Sequence, residues 1–598
     1  MSNCTANLTA GFVDLATYDE LEKYMYGGKD ATAYFVRETR KSTWFTQCPV
    51  TLSKSAGNPE FGAEWSCTIS RAGDYLLGTW LHVVTPQVEV ADGSSVALAW
   101  SPNFMHALVK ECCITFNDLV AARFDGTHLD FWAAFTTPAS KANGYSRMIG
   151  AALPSMGGVL APQSLNLPLP FFYARDSGVA LPTAALPYNE MRINFKFRDW
   201  REMLLAFNNA QVGAKGDCIE ALREVPNDGS AADNVANSLA GGAGGALAGR
   251  VPIANVSLKK EPSLGSNAVQ VWANYAIVSN EERSRMACAP RDILIEQVQS
   301  MPTYLVNQRY AMDVAVNGAN ATVQNNSQSQ MVNADIRFSH AIKVLFFAAK
   351  NLSNQGVHSN YTTGIPVLKA GVGEEVCVAN CGLGGRAFGQ AAADPAQTPA
   401  KYSEVAGKLV YGSMQGQACL SLGCCNAKDP LSRASLVYEN TNRLGLMGSD
   451  YYSLVQPYYH APAVPAATSQ MSSTWCQSGL HMYSYSLDFM CLDPLGSTNY
   501  GKLTNVQINA ETENDLGACG GGAVSLTDEN NNLFNMSHSS MVETLYLTGN
   551  CSQSNLGSLE VGQSVQGGYC DVPYQLVLTA VNNNIIRISG GALGFPVL

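Results

Sequence analysis

Residues 61–81 read FGAEWSCTISRAGDYLLGTWL, two runs of aromatic and β-branched residues on either side of Arg71-Ala72-Gly73-Asp74. Runs of that composition closed by Gly and Asp form strands, and the four-residue spacing predicts a hairpin. The same punctuation continues from Thr43 onward: β-forming runs at 75–84, 114–116, 191–197 and 269–278 are separated by Pro, Gly, Asn and Asp. Short strands with long polar connections predict a sandwich or jelly roll, with helices as minor insertions, rather than an alternating α/β fold.

A chain of 598 residues is too long for one compact core and implies two or more domains. Two stretches echo each other. In the first, an apolar run at 167–173 passes through Arg175-Asp176-Ser177-Gly178 to the alternating strand MRINFKF at 191–197. In the second, an aromatic run at 481–489 passes through Asp493-Pro494-Leu495-Gly496 to LTNVQINAE at 503–511. The repeated order of strand, corner and strand suggests a duplicated domain. The break falls near 279–295, where Ser279 or Asn280 caps a short charged helix that stops before Pro290. The expected organisation is an N-terminal arm at 1–40, a first β domain at 41–282, a connector at 283–295 and a second β domain at 296–598. Segments 226–250, 371–430 and 513–568 read as long loops.

The arm carries one helix signal, at 15–26. Thr17 is the expected N-cap, Glu20 completes a capping box, Gly27-Gly28 ends the helix, and Tyr18, Leu21 and Met25 share a face. Such a narrow stripe serves either its own domain or a neighbouring subunit.

Charged residues are 14% of the chain, against roughly 25% in an ordinary soluble protein, while apolar residues are 46%. Low charge favours assembly over free diffusion. The net charge of −11, with no Lys/Arg run among aromatics, argues against direct binding of nucleic acid. Met1-Ser2-Asn3-Cys4 opens without a basic or apolar leader pattern, so no secretory signal is expected. The most apolar piece, 341–349, is too short to span a bilayer and carries Lys343.

The 17 cysteines are expected to be mostly reduced. Cys377, Cys381, Cys419, Cys424 and Cys425 form the best candidate metal or disulfide group, but their spacing fits no zinc ribbon or finger, and plain thiols are the preferred reading. The run Gly382-Leu383-Gly384-Gly385-Arg386 lacks the Lys-Ser/Thr of a phosphate loop. Hydrolase signatures are absent: there is no HExxH, and 562–567 misses the nucleophile-elbow spacing. Glu511, Glu513 and Asp515 could supply paired carboxylates, with the first two about 7 Å apart on one strand face, yet their setting reads as a strand entering a solvated loop. Tyr451-Tyr452, Tyr458-Tyr459 and Tyr483/Tyr485 suit sugar stacking, sandwich core or subunit interface. The Asn-x-Ser/Thr sequons at Asn3, Asn7, Asn255, Asn320, Asn325, Asn351, Asn360, Asn535 and Asn550 are read as chance in an Asn-rich sequence. No catalytic, cofactor-binding or metal residue is assigned, and no cofactor is expected.

Several blocks together carry a resemblance. They are DLATYDELEKYMYGG at 14–28, YFVRETRKSTWF at 34–45, ITFNDLVAARFD at 114–125 and LNLPLPFFYARDSGVALPTAALPYNEMRI at 165–193. IRFSHAIKVLFF at 336–347, SLVYENTNRLGLMGSDYYSLVQPYYH at 435–460, GSTNYGKLTN at 496–505 and NIIRISGGALGFPVL at 584–598 follow in order. With the FGAEWSCTISRAGD block, the chain resembles the double jelly-roll major capsid proteins of nucleocytoplasmic large DNA viruses, nearest the iridovirus and ranavirus type. The resemblance implies an all-β fold of two tandem eight-stranded jelly rolls with long loop insertions and short helices. It also implies a homotrimeric, pseudo-hexagonal capsomer that tiles the icosahedral shell of a virion assembled in the host cytoplasm. The implied partners are neighbouring capsomers, minor capsid proteins and internal membrane proteins, without enzymatic activity. Segments 371–430 and 513–568 depart from the family in length and cysteine content. The competing reading is a carbohydrate-binding or carbohydrate-cleaving β-sandwich.

Overall fold

The computed structural model describes residues 8–595 apart from 152–158, 209–249, 373–414, 423–428, 466–478, 515–523, 526–550, 553–563 and several stretches of four residues or fewer. It divides into an arm, Met1–Phe45, and a body, Thr46–Leu598. In the arm the expected single helix is two: α1 (Leu8–Ala16) and α2 (Glu20–Met25). The Thr17 hydroxyl donates back to the Val13 carbonyl at 2.9 Å, closing α1 instead of opening a helix. Asp19 is the N-cap of α2, accepting from the backbone N–H groups of Leu21 and Glu22, and Glu22 reaches back to the Asp19 N–H. A carboxylate beside the helix N-terminus outcompetes a hydroxyl two residues earlier. The Tyr18, Leu21 and Met25 stripe is not buried within the arm.

Eight of the described strands build the two main sheets of the first half of the body: β1 (Phe45–Thr51), β2 (Glu64–Thr68), β3 (Tyr75–Val84), β4 (Val109–Phe116), β5 (Leu119–Asp125), β6 (Ser164–Pro168), β7 (Met191–Phe197) and β8 (Val269–Val278). They form one sheet in the order β1-β8-β3-β6 and a second in the order β2-β7-β4-β5, the latter extended by an edge strand, Ser53–Ala56. Helix α3 (Gly126–Thr136) follows β5, and helix α4 (Asn280–Cys288) follows β8. The second half has β9 (Arg291–Ser300), β10 (Tyr304–Asn317), β11 (Met331–Asp335), β12 (Ala341–Asn351), β13 (Leu431–Tyr438), β14 (Thr441–Gly448), β15 (Leu480–Ser484), β16 (Val506–Thr512) and β17 (Ser564–Ser589). Its sheets run β15-β12-β17-β10 and β11-β16-β13-β14. Counting eight strands from β10, the second half repeats the first: strands one, eight, three and six share one sheet, and two, seven, four and five the other. That is the jelly-roll order, occurring twice. The echo seen in the sequence is β6 to β7 and β15 to β16, which hold equivalent places in the two halves.

Alternation dictates these sheets. In β7 and β16 every second side chain is buried, as expected of strands with one face on a core. Trp65 of β2 sits opposite Phe195 of β7 and stacks on it at 4.7 Å.

The corner at 70–73 corrects the hairpin expectation. β2 pairs with β7 and β3 pairs with β6 and β8, so the corner carries the chain from one sheet to the other. Ile69 N–H still donates to Met191 of the β2-β7-β4-β5 sheet and Asp74 N–H already donates to Ala276 of the β1-β8-β3-β6 sheet, leaving four residues to cross the gap of about 10 Å between stacked sheets. Arg71 holds the crossing by donating to the Leu186 and Asn189 carbonyls. Asp74, buried, accepts from the Val278 N–H and from Arg283 of α4, and the Tyr275 hydroxyl donates to the Ser70 carbonyl. The hydrogen bonds of Arg283 hold the Asp74 carboxyl below the usual carboxylate range. A hairpin would have left these groups unpaired and both aromatic runs in one sheet.

Gly73 packs so closely that an added Cβ would lie 2.6 Å from Tyr275 Cβ, whereas Gly78 has open space. We predict that Gly73→Ala destabilises the protein by about 1–3 kcal/mol in urea melts while Gly78→Ala does not. Equal stabilities would refute the close-packed crossing.

Candidate functional site

Helix α3 was not anticipated from the sequence, and it joins the two halves. Asp125 caps it, its carboxylate accepting the His128 N–H at 2.8 Å. Gly126 is required at the first position because a Cβ there would lie 2.3 Å from the His106 carbonyl. Phe131 and Phe135, four residues apart, point from one face of the helix and stack on Phe346 of β12 at 5.6 and 5.3 Å. Phe346, Val344, Ala348, Met482 and Val577 thus form an apolar layer with the helix on the outer face of the second half's sheet. Leu345, Phe347 and Ala349 of the same strand face the core inside that half. The short apolar run at 341–349 is therefore a strand buried on both faces.

Polar groups at the seam are paired. Asp130 of α3 accepts from Ser359 Oγ at 2.9 Å and Tyr361 Oη at 2.8 Å, both from the second half, and lies 2.7 Å from His106 Nδ1. His106 Nε2 meets the Tyr145 hydroxyl at 2.8 Å. Burial pushes the Tyr145 and Tyr361 phenols well up, keeping them neutral donors. This is not a hydrolytic triad: the serine bonds the acid, and both imidazole nitrogens are engaged. Lys343, the charge inside the apolar strand, donates to Glu296 at 2.6 Å and to the Cys491 carbonyl at 2.7 Å. Arg175 of the first half donates to the other Glu296 oxygen at 2.7 Å and lies over the Trp132 ring at 4.4 Å. A second dyad, His481 Nε2 to Asp429 at 2.5 Å, stacks on Phe347 in the second half.

The seam continues through β17. β17 pairs with β9, β10 and β12, and its Ile586 and Ile588 join Ile293 and Ile295 of β9 in the core of the first half. Gln297 of β9 donates to the Ala121 carbonyl at 2.8 Å.

The residues weighed in the sequence fall apart as a site. Cys377, Cys381, Cys424, Cys425, Gly382-Leu383-Gly384-Gly385-Arg386 and Asp515 lie outside the described residues, and Cys419 is described only as part of the strand Gln415–Leu422. Glu511 accepts from Ser329 at 2.7 Å on β16, and Glu513 lies beyond the strand end, accepting from the Asn514 N–H. Among the described residues no cluster of His, Cys, Asp and Glu is arranged for a metal ion, and Cys48, Cys67, Cys112, Cys113 and Cys491 are unpaired. Burial raises the Cys67 thiol to about 12, which makes it inert. No described helix is long and apolar enough to cross a membrane. The sequons at Asn351 and Asn360 are buried, the first donating to the Thr362 carbonyl and the second accepting from Thr362. The tyrosines separate: Tyr452 and Tyr483 are core, whereas Tyr458 and Tyr459 are exposed. The exposed pair sits with Leu454 and Val455 on the helical segment Tyr451–His460, which His460 ties to the Leu487 carbonyl at 2.9 Å. Leu487, whose N–H donates to the Leu495 carbonyl, is itself largely exposed.

Two family models match this chain, one described as large eukaryotic DNA virus major capsid protein over 282–542 and one as major capsid protein N-terminus over 33–237. The major capsid protein of Costelytra zealandica iridescent virus is 45% identical over 612 residues, covering 100% of both chains. The chain belongs to the major capsid proteins of the large eukaryotic DNA viruses. The major capsid protein of Frog virus 3 is 34% identical, again over 100% of both chains. Among solved structures, PBCV-1 VP54, fitted into a reconstruction of the virophage Sputnik, matches with a TM-score of 0.54 at 17% identity, over 95% of this chain and 100% of that one. The Faustovirus major capsid protein matches with a TM-score of 0.52 at 10% identity, over 94% and 93%. As a major capsid protein the chain is a structural, non-enzymatic component of the virion capsid with the double jelly-roll fold, and the carbohydrate-active reading is set aside.

Removing the carboxylate that Arg175 and Lys343 share would strand two buried cations. Glu296→Gln is expected to cost about 3–5 kcal/mol of stability by denaturant unfolding, while replacing all three by apolar residues of similar volume costs far less. A neutral single substitution would contradict the seam.

Proposed function

We propose that this major capsid protein works as a homotrimeric, pseudo-hexagonal tile of an icosahedral shell. The observation that carries the reading is the duplicated strand order: two like walls per chain and three chains give six similar sides, which suits one tile shape to a near-hexagonal lattice. The two walls are assigned to 41–282 and 296–598, joined by 283–295. The low charge fraction and the exposed Leu454, Val455, Tyr458, Tyr459 and Leu487 support permanent subunit contacts of about 2,000–5,000 Å² each. The net charge of −11 supports a shell without direct contact to nucleic acid. Segments 371–430 and 513–568, largely outside the described residues, are assigned to the outward face. Neighbouring capsomers, minor capsid proteins and internal membrane proteins are the proposed partners, and the host cytoplasm the proposed place of assembly.

Native mass measurement should find a trimer that does not yield folded monomer down to nanomolar concentration. A stable soluble monomer would sink the tile.

The arm, 1–40, is assigned to assembly, because α2 buries none of its residues within its own unit. Its stripe at Tyr18, Leu21 and Met25 is worth about 5 kcal/mol of transfer free energy once covered by a neighbour, partly offset by ordering. Deleting 1–30 should leave the melting temperature nearly unchanged and abolish shell formation. A truncated chain that fails to fold would return the arm to the first jelly roll.

A further inference from the structure

Among the described residues three histidines are buried, and they differ in their partners. Both nitrogens of His106 are engaged, and His481 has one engaged. His128 has neither ring nitrogen hydrogen-bonded and no exposed surface. Its ring lies among Phe124, Trp132 and Phe346, with centroids at 6.4, 5.7 and 6.4 Å, so the imidazole stands at the seam itself, with one wall of its cage supplied by the second half. A neutral imidazole there already forgoes the hydrogen bonds it makes in water, and a charged one would forgo much more.

The groups around this cage offer an imidazolium nothing. Asp125 at the end of β5 accepts the His128 backbone N–H. On α3, Asp130 is shared by His106, Ser359 and Tyr361. From β9, Glu296 is held between Arg175 and Lys343, and Arg175 itself lies over Trp132, one helical turn from His128. Lys350 of β12, Arg198 and the Tyr361 phenol interact with Asp125, and Lys350 and Tyr361 also with Asp130. The carboxylates are therefore committed, and the Arg175 charge opposes a second cation.

We propose that His128 makes α3 an acid-sensitive latch between the two jelly rolls: proton uptake by the caged imidazole drives it toward water, lifts Phe131 and Phe135 off Phe346, and opens the seam without unfolding either roll. The direction follows from linkage. Burial first, and Arg175 second, hold the seated imidazole down to about 3, whereas a released one returns to its ordinary value near 6.5. The released form binds more protons throughout that window, so the closed latch is fully favoured above about pH 6.5, weakens as the pH falls and stops weakening below about pH 3. Between pH 7.5 and 4.5 its opening equilibrium should rise about 100-fold.

The test is amide hydrogen exchange on the full-length protein, wild type against His128→Phe, at pH 7.5 and 4.5 after correction for intrinsic rates. Protection of 126–136 should fall about 100-fold in the wild type and less than about threefold in the variant, with β7 protected in both. Equal losses in wild type and variant overturn the latch, and so does loss of β7 in parallel with α3, which would mean global acid unfolding. If His128→Phe does not fold, exchange at the imidazole C2–H of wild-type His128 decides: protection at pH 7.5 that is lost at pH 4.5 supports the latch, and exchange at the rate of free histidine at pH 7.5 refutes it.

Discussion

Burial of β12 on both faces is the constraint on which the molecule depends. A strand with one buried face would need only its own sandwich. Because Phe346 and its alternate neighbours also face inward against α3, the second half can satisfy its sheet only with a helix from the first. The lysine in the middle of the strand then has to find a carboxylate without reaching solvent, and Glu296 serves both it and Arg175 from the other half. The apolar layer and the ion cluster are two consequences of the same packing. The first supplies hydrophobic stabilisation across the seam, while the second fixes the register, since a misplaced half would leave charges unpaired.

Strands that face one core were legible because alternation is local. Those at 75–84, 191–197 and 269–278 have the bounds their residues announce, and the echo between 167–197 and 481–511 marks equivalent strands in the two halves. Which sheet a strand joins was not legible. The corner at 70–73 has the residues of a hairpin, and only the distant carbonyls of Leu186 and Asn189 and the side chain of Arg283 make it a crossing. Helix α3 escaped notice because its apolar residues lie nearly all round, as a helix enclosed by two domains requires, so no single-faced period stood out. In the arm the helix boundary differs from the expected one because Asp19, two positions after Thr17, is the residue whose backbone geometry makes it the N-cap.

The seam was invisible for the same reason as the crossing. Asp130, His106, Ser359 and Tyr361 are scattered over more than 250 residues of sequence and meet no spacing rule. Three of them are ordinary buried polar residues one at a time, and their meaning lies in satisfying one another across two halves. The family blocks at 114–125 and 336–347 adjoin this junction, yet neither the resemblance nor periodicity marked it.

The position of β17 in the chain bears on biosynthesis. β17 is the central partner of β10 and β12, and its end also completes the core of the first half through Ile586 and Ile588. A ribosome delivers those residues after the other strands of both rolls. Until they emerge, the second roll lacks the strand between its first and third, and the first roll has a gap where two isoleucines belong. The nascent chain therefore waits in a partly open state with a high proportion of long-range contacts still to form, the kind of topology that folds slowly and exposes apolar edges while it does so. Closure by β17 makes its emergence the event that completes both rolls, and a chain truncated before 564–589 would remain open, with apolar edges exposed.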